Sequence, residues 1–156
     1  LSPADIRAAL TDFSDRRPAL WPNLDPRFYQ VHDLGENWAD VTEGSSFLGG
    51  IWERDRYDWS TPGVVRIDVV ESNAFAPGSY WEYRVDEIAN GGSRVDVTVR
   101  RVGRSLKGRV VALLLRLVGR RVFSTDFQKA LGRMAAAQAD RENELLPAQQ
   151  SETLQR

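Results

Sequence analysis

The chain holds 156 residues, enough for one domain with a sizeable core, and its apolar and charged fractions are those of an ordinary soluble globular protein. Cysteine is absent, which excludes disulfides and thiolate chemistry, and the single histidine excludes sites built on two, most zinc hydrolase patterns among them. The net charge of −1 conceals a partition: residues 1–99 carry nine bases against seventeen acids, whereas residues 100–133 carry ten bases against Asp126 alone.

Ser2-Pro3-Ala4-Asp5 reads as a helix start, with a cap, a proline at the first position and an acid at the positive end of the dipole. Ile6, Ala9, Leu10 and Phe13 give that helix one apolar face, and Arg17-Pro18 is expected to stop it. Leu20-Trp21-Pro22 then reads as a short second turn of helix or a loop plugged by Trp21.

Six strands follow, at 27–34, 37–43, 46–59, 64–72, 79–89 and 93–102. Turn signals separate them at Gly35-Glu36, Gly44-Ser45, Pro62-Gly63, Pro77-Gly78 and Asn90-Gly91-Gly92. In the fourth, Val65, Ile67 and Val69 oppose Arg66 and Asp68; in the fifth, Trp81, Tyr83 and Val85 oppose Glu82, Arg84 and Asp86. In the sixth, Val95, Val97 and Val99 oppose Asp96, Thr98 and Arg100, so each strand has one packed face and one wet face. The third strand is ambiguous: Gly49-Gly50 would host a bulge, and Glu53-Arg54-Asp55-Arg56 puts charge on both faces.

From residue 105 to about 139 the period becomes that of a helix. Leu106, Val110, Leu113, Leu117, Phe127, Leu131 and Met134 share a face, and Gly119 is a place to kink or split it. The longest apolar run, 110–115, has six residues where a membrane-spanning helix needs about 20. No apolar leader stands near the N-terminus either, so a cytoplasmic protein is expected.

Candidates for chemistry are few. His32 has an ordinary pKa near neutrality and reads either as a half-exposed strand histidine or as a general acid or base. Glu53, Arg54, Asp55 and Arg56 read as solvated or cross-strand paired residues, or as a carboxylate or guanidinium turned into a hollow. Tyr29, Trp38, Trp52, Trp59, Trp81 and Tyr83 would line a pocket or fill a solid core. Gly49-Gly50 and Gly91-Gly92 are hairpin glycines, not phosphate loops, and no base stands at triad spacing from a serine or threonine. The basic helix lacks interleaved aromatics and the remainder is acidic, so no nucleic-acid partner is expected, and nothing calls for a cofactor or metal.

Several of these segments recur together in one known family. They are Ser2-Pro3 leading a helix that ends Leu10-Thr11-Asp12, Leu20-Trp21-Pro22 soon after, and Val41-Thr42-Glu43-Gly44-Ser45 at a hairpin. Pro77-Gly78 before an aromatic strand, Gly91-Gly92-Ser93-Arg94-Val95 and the closing arginine-rich helix complete the set. Their order resembles the START-like, or helix-grip, superfamily, within the SRPBCC group of polyketide cyclase/dehydrase and lipid-transport proteins. The resemblance implies an α+β helix-grip fold, a curved antiparallel β-sheet wrapped around a long C-terminal α-helix. It places the domain at residues 1–140 and leaves 141–156 as a polar, frayed tail. Such proteins normally have a strand before the first helix, pairing with the last strand. Here it is expected upstream of Leu1; without it the sheet keeps an open edge at 93–102.

The resemblance also implies binding, as carrier or sensor, of a hydrophobic small molecule such as a lipid, polyketide or isoprenoid in an internal cavity. Alternation nominates Val65, Ile67, Val69, Trp81, Tyr83, Val85, Val95, Val97 and Val99 as its sheet wall. Helical spacing nominates Leu113, Leu117, Phe127 and Leu131 as its cover. A polyketide cyclase/dehydrase-type enzyme is the competing expectation, with His32, Glu53 and Asp55 as the available acids and bases. A ligand-free regulatory or interaction module is the third. Arg104, Lys107, Arg109, Arg116, Arg120 and Arg121 flank the apolar stretch of the helix. They would attract an anionic membrane transiently, or pair with acids on the strands. The sequence leaves the oligomeric state open.

Overall fold

The computed structural model describes residues 1–89, 91–106, 108–113, 127–133 and 135–136. Ser2 caps the first helix, α1 (Pro3–Leu10), through a reciprocal pair: the Asp5 amide donates to Ser2 Oγ at 3.2 Å and the Ser2 amide donates to the Asp5 carboxylate at 2.9 Å. Ile6 and Leu10 are its buried stripe. The helix ends at Leu10, well before Arg17-Pro18, and Phe13 lies in the connection. Arg17-Pro18 instead opens a short second helix, α2 (Arg17–Leu20), because proline's missing N–H costs nothing in a first turn.

A 3-10 turn, Pro26–Phe28, takes the place of the first residues expected in the first strand. Six strands follow: β1 (Gln30–Leu34), β2 (Trp38–Ser45), β3 (Ile51–Asp58), β4 (Val64–Ser72), β5 (Tyr80–Ile88) and β6 (Gly92–Arg100). Each pairs antiparallel with the next, giving a curved sheet in the order β1-β2-β3-β4-β5-β6. The register lines up Val65, Tyr83 and Val97 in one row and Ile67, Trp81 and Val99 in the next.

The bulge expected at Gly49-Gly50 is absent from the ladder. A 3-10 turn, Phe47–Gly49, occupies that place, and both glycines take the left-handed backbone, φ 78° and 96°, that L side chains avoid. The irregularities lie elsewhere. One leaves His32 unmatched between Val31 and Asp33; the other leaves Val70 as an extra residue on β4, opposite the Arg54–Asp55 step. After Val70 the inward phase of β4 shifts by one, so Ser72 is buried and Glu71 is exposed.

The outer face is laced with ion pairs. Arg66 reaches Asp68 and Glu82, Arg84 reaches Glu82, and Arg94 reaches Asp86 and Asp96. The acids of the sheet are thus met largely by its own arginines, each exposed pair contributing at most about 1 kcal/mol.

The concave face divides in two. At one end α1 lies against β5, and Ile6 and Leu10 pack with Ala39, Val41, Tyr57, Val65 and Val85 into a solid core. Ala130, from helical residues 127–133, joins that core, with Phe127 and Leu131 packed against it. Helical residues 108–113 sit over a satellite cluster of Ile51, Ala74, Phe75 and Val111. Gly108 permits this approach, because a Cβ there would collide with the Ala74 carbonyl. The expected continuity of one helix from 105 to 139, Leu117 within it, and the tail at 141–156 lie outside the described residues. No helix among the described residues is long and apolar enough to cross a membrane.

Candidate functional site: a cavity with one apolar wall and one charged end

The part of the concave face that α1 does not cover forms an open cavity of about 1980 Å³, larger than the roughly 300–1,000 Å³ of a drug-sized pocket. Ile67, Trp81, Tyr83, Val95, Val97 and Val99 form its sheet wall, opposite Phe127 and Leu131. The Phe127 ring stacks on Tyr83 at 5.8 Å and lies 6.0 Å from Trp21. Val97 and Val99 are 43% and 38% exposed although they continue the inward row of β6, as the wall of a hollow would be.

The other residues nominated for the lining lie elsewhere. Val65 and Val85 belong to the core under α1, facing Pro3, Ala4 and Arg7. Val69 is buried without reaching the cavity, and Leu113 turns outward, 57% exposed. Leu117 falls outside the described residues.

β3 resolves its own ambiguity by strict alternation. Ile51, Glu53, Asp55 and Tyr57 turn inward and line the cavity. Arg54 turns outward and holds Asp40 bidentately, both contacts 2.8 Å, while Arg56 lies 3.5 Å from the Trp38 ring centroid. The inward charges are buried because each end of the row meets an arginine. At one end Arg17 pairs with Glu43 and donates to Tyr57 Oη at 3.1 Å, and Tyr57 in turn donates to Glu43 at 2.7 Å. Arg17 also donates to the Leu10 and Asp12 carbonyls, 3.1 and 3.0 Å, which ties the end of α1 to the sheet. At the other end Arg101 Nη1 donates to Glu53 at 2.7 Å, its guanidinium 4.5 Å from the Trp81 ring and 4.7 Å from Phe75.

Asp55 stands between these two ion pairs, about 7 Å along the strand from Glu53 and from Tyr57. Burial, reinforced by the charges of Glu53 and Glu43, pushes its carboxyl well above the usual range, while Arg101 and Arg17 pull the other way. Burial likewise raises the Tyr57 hydroxyl, with Glu43 adding to it, and raises Tyr83 to about 12. For Arg17 burial opposes the charge, but Glu43 and Tyr57 outweigh it and hold the guanidinium protonated.

His32 is not part of this site. It is exposed on the β1 irregularity, its Nε2 2.7 Å from Thr42 Oγ1. Glu53 and Asp55, by contrast, do face the cavity. Among the aromatics, Trp81 and Tyr83 reach it, whereas Trp38 lies under Arg56 and Trp59 stacks on Phe13 at 5.8 Å. Among the described residues no group of three His, Asp or Glu side chains is placed to hold a metal ion. Arg17, Glu43, Tyr57 and Arg101 were not nominated from the sequence. Three of them carried a signal: Glu43 continues the inward phase of Ala39 and Val41, Tyr57 that of Glu53 and Asp55, and Arg101 that of Val95, Val97 and Val99.

No family model matches the chain, and no curated protein matches it in sequence. A solved structure described as a START superfamily protein from Mycobacterium smegmatis is similar with a TM-score of 0.62 at 14% identity, over 87% of this chain and 91% of that one. At that identity the likeness speaks for architecture alone. It shows that the chain has a START-like fold.

Proposed function

We propose that this protein binds a hydrophobic small molecule, such as a lipid, polyketide or isoprenoid, as a carrier or sensor. In this reading residues 105–139 continue as one helix that closes the hollow. The observation that carries it is the row of inward-lying but uncovered side chains, Val97 and Val99 above all, facing Phe127 and Leu131. Native mass spectrometry of the freshly purified protein, followed by solvent extraction, tests it. The expected result is a lipophilic mass that leaves on extraction and rebinds. A protein that never carries one and takes up no fatty-acid probe overturns the reading.

Asp55 favours a second reading, an enzyme of the cyclase/dehydrase type. An inward carboxyl whose pKa burial raises is suited to act as a general acid, a role contributing about 10²–10⁴-fold. Loss of turnover in Asp55→Asn with ligand binding intact would favour it over the carrier.

Loading from an anionic membrane extends the carrier reading. Leu106, Val110 and Leu113, at helical spacing, are 79%, 49% and 57% exposed, and Arg104 and Arg109 beside them are exposed too. An apolar stripe edged with bases complements an anionic lipid surface.

A further inference from the structure

The charged end of the cavity contains polar atoms with nothing to bond. Asp55 Oδ1 and Arg101 Nε are both buried and both lack a hydrogen-bond partner, as does Trp21 Nε1 on the same cavity. Native proteins leave few such groups, because each has given up the bond it made to water. Neither Asp55, 5% exposed, nor Arg101, whose side chain is 7% exposed, is free to swing out to solvent. Arg101 is held at one edge by Glu53 and across its faces by Trp81 and Phe75, which leaves its Nε–H over.

The chemistry of the leftover atoms is one-sided. Arg101 Nε–H and Trp21 Nε1–H can only donate. Burial, with Glu53 and Glu43 nearby, favours the protonated form of Asp55, and a neutral carboxyl donates as well. Donors therefore outnumber acceptors in a place whose two full charge pairs, Arg17–Glu43 and Arg101–Glu53, are already satisfied. What such a place lacks is an oxygen with lone pairs.

We propose that Asp55 and Arg101 form a head-group subsite that holds the carbonyl or carboxylate oxygen of an otherwise apolar ligand. This rests on the hydrophobic-ligand reading and adds the ligand's polar end to it. The apolar body lies along Trp81, Tyr83 and Val97, and the oxygen sits at the β3 end, beside Asp55 and Arg101. A site with unmatched donors discriminates against a molecule that cannot accept, because binding it removes water from those donors and returns nothing.

Three probes of one size separate the possibilities: 2-isopropylnaphthalene, 2-acetylnaphthalene and 2-naphthoic acid, titrated by calorimetry into the full chain. The ketone, the acid or both should bind at least about tenfold more tightly than the hydrocarbon, and the order of the two identifies a neutral carbonyl or a carboxylate as the natural group. Arg101→Lys keeps a charge for Glu53 but lacks the Nε donor, and Asp55→Leu removes the carboxyl. Each should cut the preference to below about threefold while leaving the hydrocarbon's affinity within about twofold. Asp55→Asn, which keeps the size and a donor, should retain the preference. Equal binding of all three probes by the unmodified chain overturns the subsite and leaves the cavity reading standing. Binding of none overturns both, and neither outcome depends on a variant folding.

Discussion

Asp55 is the most buried carboxylate among the described residues, and its raised pKa makes folding pH-dependent. The groups facing it are Glu53 and Glu43, which raise its pKa together with burial, and Arg101 and Arg17, which oppose them. In the unfolded chain the same carboxyl ionises near pH 4. The native state therefore favours the extra proton, and the contribution of Asp55 to stability is full below about pH 4 and declines as pH rises towards the raised native value. Asp55→Asn should remove that decline. Its melting temperature by circular dichroism should gain on the parent between pH 4 and pH 8, and parallel curves for the two proteins would refute the assignment. Only part of this was legible residue by residue. The sequence offered Glu53 and Asp55 as carboxylates turned into a hollow, but a strand reading Glu-Arg-Asp-Arg does not say which phase faces inward, and the arginine that meets Tyr57 is Arg17, 40 positions earlier in sequence. In isolation Arg17-Pro18 reads as a helix stop; its side chain acquires meaning when α2 is laid against β2 and β3.

Elements were more legible than their limits. Alternation in β4, β5 and β6 is a local property, set by the pleat, and could be read directly. The ends of β1 and the Phe47–Gly49 turn could not, because a 3-10 turn and a strand end share the same turn residues. Helical residues 106 and 108–113 combine both cases. Helical spacing correctly groups Leu106, Val110 and Leu113, but it cannot say whether that face or the one bearing Gly108 and Val111 turns inward. The close approach of Gly108 to Ala74 decides it, and the larger apolar side chains are left outside. If that stripe meets membrane, the protein should co-sediment with phosphatidylserine vesicles and not with phosphatidylcholine vesicles. Each base near an anionic surface contributes about 1 kcal/mol, so Arg104→Glu with Arg109→Glu should weaken binding by well over tenfold, as should added salt. Leu106→Gln with Leu113→Gln should weaken it in low salt as well. Equal recovery in the supernatant with both lipids would end the idea.

At the scale of the whole molecule, strands followed by helix anticipated a curved sheet with a helix in its concave face, because one curved sheet has few ways to bury that face; the START-like resemblance rested on the order of the cap and turn segments. The division of that face did not follow from periodicity. Val65, Val85 and Val97 are equivalent in pattern, yet the first two lie under α1 and the third lines the cavity. What separates them is where α1 lands on β5, a tertiary fact with no local signature. The distinction predicts opposite consequences for one substitution made at two places. Val97→Trp adds bulk to an open wall, so the fold should keep its melting temperature within about 2 °C while saturable binding of a fluorescent fatty acid is lost. Val85→Trp forces the same bulk into packed side chains, which costs about 1–3 kcal/mol and should lower the melting temperature by roughly 2–12 °C at this size. Should Val97→Trp prove the destabilising member of the pair, the concave face is packed throughout, and the protein has no hollow for a ligand to enter.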